Sequence, residues 1–346
     1  MMTKANTVSV QSPPRTYDVP HESRGQLDYP VDAWDLLAFG RSPFRWVHTP
    51  PPEDNDRPTF LEVLRLLHLV PEHLDKLYVL RPKSYQAVRH TCPKCQSVGP
   101  GRVCKACNMA RKNVFEERPW SNTAKFCADW TEQHTRHLQR IVPHDLFERA
   151  RAALDSLDND AEVQALHQSA NRHVALRGLW HDEPTGLDIP LRGVVSYAPA
   201  EGETRDDSLA SLHVTRDVSP TQWAGYAHAR GHHAVAAFLQ DLHGAATGDP
   251  RPHHLWVLVE QDEPFVVGRR RASPELLNAG RSLYQDLLGA YARCLATQSW
   301  PAFDPNLPGS IDSWSAFHLE PWMTQGDGHS GRFFGVEAAH TLPLAA

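Results

Sequence analysis

Apolar and polar positions fall into two rhythms along this chain. Over residues 60–70, Leu61, Val63, Leu64, Leu66, Leu67 and Leu69 recur at helical spacing and give one broad apolar face. A shorter helical pattern precedes it at 31–39, across a proline-rich loop at 49–58. A short helix follows at 71–78, then extended chain at 79–82. Three further helical stretches are predicted at 121–140, 143–157 and 160–170. Beyond them the period shortens. Residues 189–198 and 208–215 read as short strands, the second setting Leu209, Ser211 and His213 against Leu212 and Val214. Ser219-Pro220-Thr221-Gln222 is a capping box with proline at the first helical position. It opens a helix whose stripe runs Trp223, Tyr226, Ala227, Val235, Phe238, Leu239 and Leu242. Residues 254–259 and 265–269 form a hairpin, and Ser273-Pro274-Glu275 caps a last helix reaching about residue 298. The order helix, strand, strand, helix, strand, strand, helix predicts an α/β fold with a mixed central sheet flanked by helices.

Residues 1–30 carry Pro13, Pro14, Pro20 and Pro30 among polar residues without a sustained period, and read as a mobile arm. The division that follows is an arm at 1–30, a helical region at 31–120, a core at 121–300 and a C-terminal extension at 301–346. No repeat at a fixed period is evident.

Composition sharpens this in three places. No apolar run approaches the ~18 residues of a membrane span, and the N-terminus lacks the apolar segment of an export signal, so a cytoplasmic protein is expected. The net charge of −6 excludes a uniformly basic DNA binder, yet it hides a local excess. Residues 81–118 hold nine Lys and Arg against Glu116 and Glu117, a balance of +7. Inside that stretch, at about 90–112, Cys92-Pro-Lys-Cys95 and Cys104-Lys-Ala-Cys107 form a C-x2-C…C-x2-C array. Two close thiolate pairs can close a tetrahedral shell around Zn2+, and a shell closed by four thiolates is structural rather than catalytic. Lys94, Lys105, Arg111 and Lys112 around it could meet a DNA phosphate backbone; equally, they could form a solvated face on a clip that staples a loop. Cys127 and Cys294 lie on apolar helical faces and are expected to be core thiols. The tryptophans at 46, 120, 130, 180, 223 and 256 suit core positions, and phosphate-binding glycine loops are absent. Arg269-Arg270-Arg271 follows a strand, as a DNA contact or a solvated edge.

From about Ile141 onward the chain resembles the exonuclease VIII (RecE-type) branch of the PD-(D/E)xK nucleases. The carrying segments are IVPHDLFERARAALDSLDNDAEVQAL, HVALRGLWHDEPTGLDIPLRGVVSYAP, SLASLHVTRDVSPTQWAGYAHARGHHAVAAFL and HHLWVLVEQDEPFVVGRRRASPELLNAGRSLYQDLLGAYARCLATQSWPAF. FGRSPFRWVH and VPEHLDKLYVLRP look like the N-terminal helical part. The resemblance implies a nuclease-like core in which carboxylates on adjacent strands hold Mg2+ against the scissile phosphate and a lysine supports the attacking water. Here the first Asp position reads Ser196, and the Asp-x-Lys position reads His213-Val214-Thr215. The upstream helix glutamate looks like His173, and the polar pair of the following helix falls around His233 and Val235.

With its ligands replaced together, the motif points to a hydrolytically dead domain that binds DNA, or a recombination or replication partner, without cutting. Two alternatives stay open for the cleft. Asp188, Asp206 or Asp207 could supply relocated carboxylates for Mg2+, with Arg216 in the place of the lysine. His173, His213 and His232 or His233 could instead hold a transition metal. A protein–protein adaptor on the same scaffold is the third functional class, and the resemblance also implies a ring-like homo-oligomer.

Overall fold

The computed structural model describes residues 2–3, 23–49, 58–99, 101–136, 140–200 and 208–302. Most of the arm, Asp206, Asp207 and almost all of the C-terminal extension lie outside the described residues. The elements begin with β1 (Met2–Thr3), α1 (Ala33–Arg41), α2 (Pro43–His48), α3 (Phe60–Leu69) and α4 (Leu74–Leu77). Next come β2 (Tyr78–Leu80), β3 (Ser84–Thr91), β4 (Lys112–Pro119), α5 (Lys125–Arg136) and β5 (Arg140–Val142). Then follow α6 (His144–Asp158), α7 (Ala161–Ser169), β6 (Ala170–Asp182), β7 (Leu187–Pro199) and β8 (Ser208–Thr215). The chain closes with α8 (Pro220–Ala229), α9 (His232–Thr247), β9 (His253–Glu260), β10 (Val267–Arg271) and α10 (Pro274–Thr297).

A mixed six-stranded sheet in the order β1-β6-β7-β8-β9-β10 organises the fold. Strands β6, β7 and β8 run antiparallel, α8 and α9 carry the chain across, and β9 returns parallel to β8. Both faces are covered, which is why β9 reads as the near-continuous apolar run Leu255–Val259. Its alternation splits the core. Trp256 and Leu258 face α1, α9 and α10 with Val174, Leu176, Ile189 and Leu209. Val257 and Val259 face α3, α6 and α7 with Tyr197, Ala210 and Leu212. Asp32 and Thr59 close capping boxes on α1 and α3, and Ser273 caps α10 through the Leu276 N–H. Among the described residues no helix is long and apolar enough to cross a membrane.

Four sequence expectations change, the first being the capping box at 219–222: Ser219 stands at the N-cap of α8 but its side chain makes no cap hydrogen bond. The HVAL segment, expected beside a helix glutamate, lies in strand β6; α7 runs into it at Ala170 without an intervening breaker. The helix expected over 219–242 is two, because Gly231 takes φ +77 and its Cα hydrogen faces Leu37, whose Cδ1 would stand 2.7 Å from an added Cβ. The cysteine segment caps an antiparallel hairpin, β3 with β4, that the apolar pattern did not signal.

Helix α9 is buried on nearly all sides and crosses α10 at Gly280. A Cβ there would meet the His233 carbonyl and lie 2.8 Å from the Ala234 nitrogen, both backbone atoms that cannot rotate away. Gly280→Ala should therefore lose about 1–3 kcal/mol of stability through a forced shift of α10. Urea unfolding measures this; an unchanged midpoint would mean that α10 has room to move.

Candidate functional site

Strands β7 and β8 pair in register only at Tyr197 and Ala210, and beyond that point they part. The opening leaves the N–H and carbonyl of Leu212, which pairs with Val257 of β9 on its other side, without a ladder partner in β7, and two side chains take over. The Ser196 hydroxyl accepts from the Leu212 N–H at 2.9 Å, and Arg65, reaching in from α3, donates to the Leu212 carbonyl at 2.9 Å. On the other side of β7, the β6–β7 ladder skips His173 opposite Ser196, and His173 has φ +52. A left-handed histidine inside a strand is a strained arrangement of the sort that gathers at functional positions. The fork thus joins two of the sequence candidates, Ser196 and His173, with a residue that sequence reasoning missed. Arg65 looked like one cation on the polar side of a leucine-rich helix.

His213, next to Leu212, is buried with its ring 4.7 Å from that of His232 at the start of α9. Trp223 and Trp34 pack on the same His232 ring, at 5.2 and 5.1 Å. Burial pushes the His213 pKa well below its ordinary value; His232 beside it and Arg65 push it further the same way. Burial first and Arg65 second bring His173 and His232 down to about 4. Deeper in the core, His254 falls to about 3 by burial alone. Arg65 is lowered to about 10 by desolvation and stays cationic at neutral pH. At neutral pH the fork therefore holds one guanidinium among neutral imidazoles. Among the described residues no carboxylate makes a hydrogen bond or ion pair with Arg65, His173, His213 or His232.

The other candidates lie apart from this group. Thr215 ends β8 in a turn, its hydroxyl donating to the Asp217 carbonyl. Asp188 stands at the far end of the β6–β7 hairpin, exposed and 2.9 Å from His181. His233 stacks on His228 at 5.0 Å, and Val235 belongs to the core. Of the arginine run, Arg269 pairs with Asp160 and Glu162, and Arg270 bonds the Val218 carbonyl.

The four cysteines converge, with Cys92, Cys95, Cys104 and Cys107 sulfurs all within 4.8 Å of one another. Among the described residues this is the one histidine, cysteine or carboxylate group so arranged, so the histidines of the fork do not form such a shell. The cluster could hold a metal ion such as zinc. Its scaffold is a duplication at an offset of twelve residues, shorter than the periods that mark repeat folds. Cys92 N–H bonds the Ser97 carbonyl as Cys104 N–H bonds that of Met109. Gln96 N–H returns to Cys92 as Asn108 N–H returns to Cys104, and both turn residues are left-handed, at φ +56 and +51. The Ser97 hydroxyl leads in drawing the Cys104 thiol down to about 5, toward the thiolate a metal requires. Cys107 is pushed up to about 12, first by its bond with Cys95. Lys94, Lys105 and Lys112 are exposed on this ribbon, whereas Arg111 folds over Gly99 and donates to the Gly101 carbonyl. Cys127 and Cys294 are buried.

No protein-family model matches the chain, and no curated protein aligns with it. Among solved structures, the chain is similar to a "putative exonuclease" from Eubacterium rectale, at 10% sequence identity and a TM-score of 0.39. That match spans 51% of this chain and 64% of the other.

Proposed function

We propose that this chain is a nuclease-like DNA-binding protein that does not cut, acting as an accessory in DNA recombination or repair. What carries the proposal is the content of the fork. Where a PD-(D/E)xK site needs carboxylates and a lysine around Mg2+, the fork presents the Arg65 guanidinium and the neutral imidazoles of His173 and His213. A hard dication wants anionic oxygen ligands, and a fixed guanidinium beside the site repels it. The frame that supports this reading is three antiparallel strands, then helices, then a strand parallel to the third. Zn2+ in the four-cysteine shell would hold the ribbon rigid, so that Lys94, Lys105 and Lys112 present a basic surface to a phosphate backbone, with Arg111 as a brace.

Linear duplex DNA incubated with Mg2+ or Mn2+, against an EDTA control, tests this directly. The expected result is no metal-dependent degradation, together with binding that weakens steeply as salt rises. Neutralising Lys94, Lys105 and Lys112 should reduce the log–log salt slope by about 0.9 for each phosphate left without its lysine. Degradation that depends on metal and disappears in Asp188→Ala or Asp207→Ala would overturn the loss of activity. Absence of any DNA affinity would leave the scaffold as a protein–protein adaptor.

A further inference from the structure

The fork holds a guanidinium that no described carboxylate meets in an ion pair or hydrogen bond. Arg65 gives one N–H to the Leu212 carbonyl, while its Nε is buried without a partner. Glu62, the acid that bears on its charge, is already engaged by the Thr59 N–H and by Arg140. Around the fork, His173 Nε2 and His232 Nδ1 are likewise buried and unpartnered. Removing a guanidinium from water without an opposing charge is costly, and so is leaving buried polar nitrogens unbonded. A tetrahedral oxyanion lodged where β7 and β8 part would answer these demands. It brings negative charge to the guanidinium, and its several oxygens can accept from donors that arrive on three different elements, α3, β6 and α9.

We propose that the fork between β7 and β8 binds a phosphate-class oxyanion directly, without a metal, with Arg65 as anchor and His173 and His232 as flanking donors. Each imidazole serves in the tautomer that carries its proton on the unpartnered nitrogen. Ser196 contributes indirectly, because its hold on the Leu212 N–H steadies the backbone of the residue whose carbonyl orients the guanidinium. The inference deepens the DNA-binding proposal and rests on it only for the source of the phosphate; a DNA phosphate and free inorganic phosphate offer the same chemistry.

The test titrates inorganic phosphate into the full chain at low ionic strength. It is followed by calorimetry and by the fluorescence of Trp34 and Trp223, which pack on His232. Saturable uptake is expected, weakened about ten- to a hundred-fold in Arg65→Met and unchanged in Arg271→Gln, which alters an exposed arginine. Methionine keeps the length of the side chain and removes an uncompensated charge, so the variant should fold. If it does not, His173→Gln takes its place, with a smaller loss expected. No uptake by the native chain, or equal uptake by the native chain and the Arg65 or His173 variant, overturns the site.

Oligonucleotides with and without a 5′-phosphate then separate the sources. Phosphate uptake through Arg65 with no DNA affinity keeps the site and removes the DNA reading. DNA affinity through the ribbon lysines, with no phosphate uptake and no dependence on Arg65, keeps DNA binding and removes the site.

Discussion

Withdrawing metal from the four-cysteine shell should melt the ribbon, residues 84–119, and leave the six-stranded sheet standing. The ribbon has little else to hold it. Val88 and Phe115 face each other across β3 and β4 at 49% and 66% exposure, and among its described residues the side chains it buries are Cys92 and Cys104. A lone two-stranded hairpin is marginal in water, whereas structural Zn2+ contributes about 10–16 kcal/mol to folding in finger peptides at neutral pH. Hydrogen exchange checks this. With a strong chelator, or in Cys104→Ser, protection across 84–119 should collapse while the amides of β7, β8 and β9 keep theirs. A protein without bound zinc, or a ribbon indifferent to its removal, would leave the cluster as four free thiols.

Acidification should unfold the sheet domain well above the pH at which carboxylates usually give way. His68, His213, His232 and His254 are buried, each with its pKa below the ordinary 6.5: about 4 for His68 and His232, about 3 for His254, and well below for His213. Burial is the leading cause for all four. The unfolded chain takes up protons on these imidazoles as pH falls through about 6.5, while the fold refuses them until about 4 at His68 and His232 and about 3 at His254, with His213 held well below its ordinary value. Their stabilising contribution is thus complete above 6.5 and is lost as pH falls from there toward each group's lowered value. Each such group is worth at most about 1.4 kcal/mol per pH unit. Four together approach the roughly 5–15 kcal/mol that a domain has to lose. The near-ultraviolet signal of the buried Trp223 and Trp256 should therefore collapse near pH 5. Replacing His254 with Gln should move that collapse to lower pH. A domain still native at pH 4 would mean that these side chains can be protonated in place.

The cysteine cluster and the sheet were legible in the sequence for different reasons. Paired C-x2-C spacing is a local constraint, and the alternation of β8 and the apolar run of β9 record burial directly. What escaped was set by tertiary structure. Strand β6 follows α7 with no glycine or proline to mark the change, and its left-handed His173 has no signature in a single sequence. Arg65 sits in a leucine stripe, where a cation reads as solvent-facing; only the parting of β7 and β8 gives its guanidinium somewhere to go. Gly231, a single residue, decides that one long helical pattern becomes two helices.

The twelve-residue offset in the ribbon has a further meaning. Neither half can close a shell alone, since each knuckle brings two of the four sulfurs. The ribbon is in effect a tethered dimer of one short motif, its two protomers joined through residues 98–102. A tether that short keeps the second pair of thiols at a local concentration that no separate chain could match. Assembly of the site is then a property of one molecule and independent of how much protein is present.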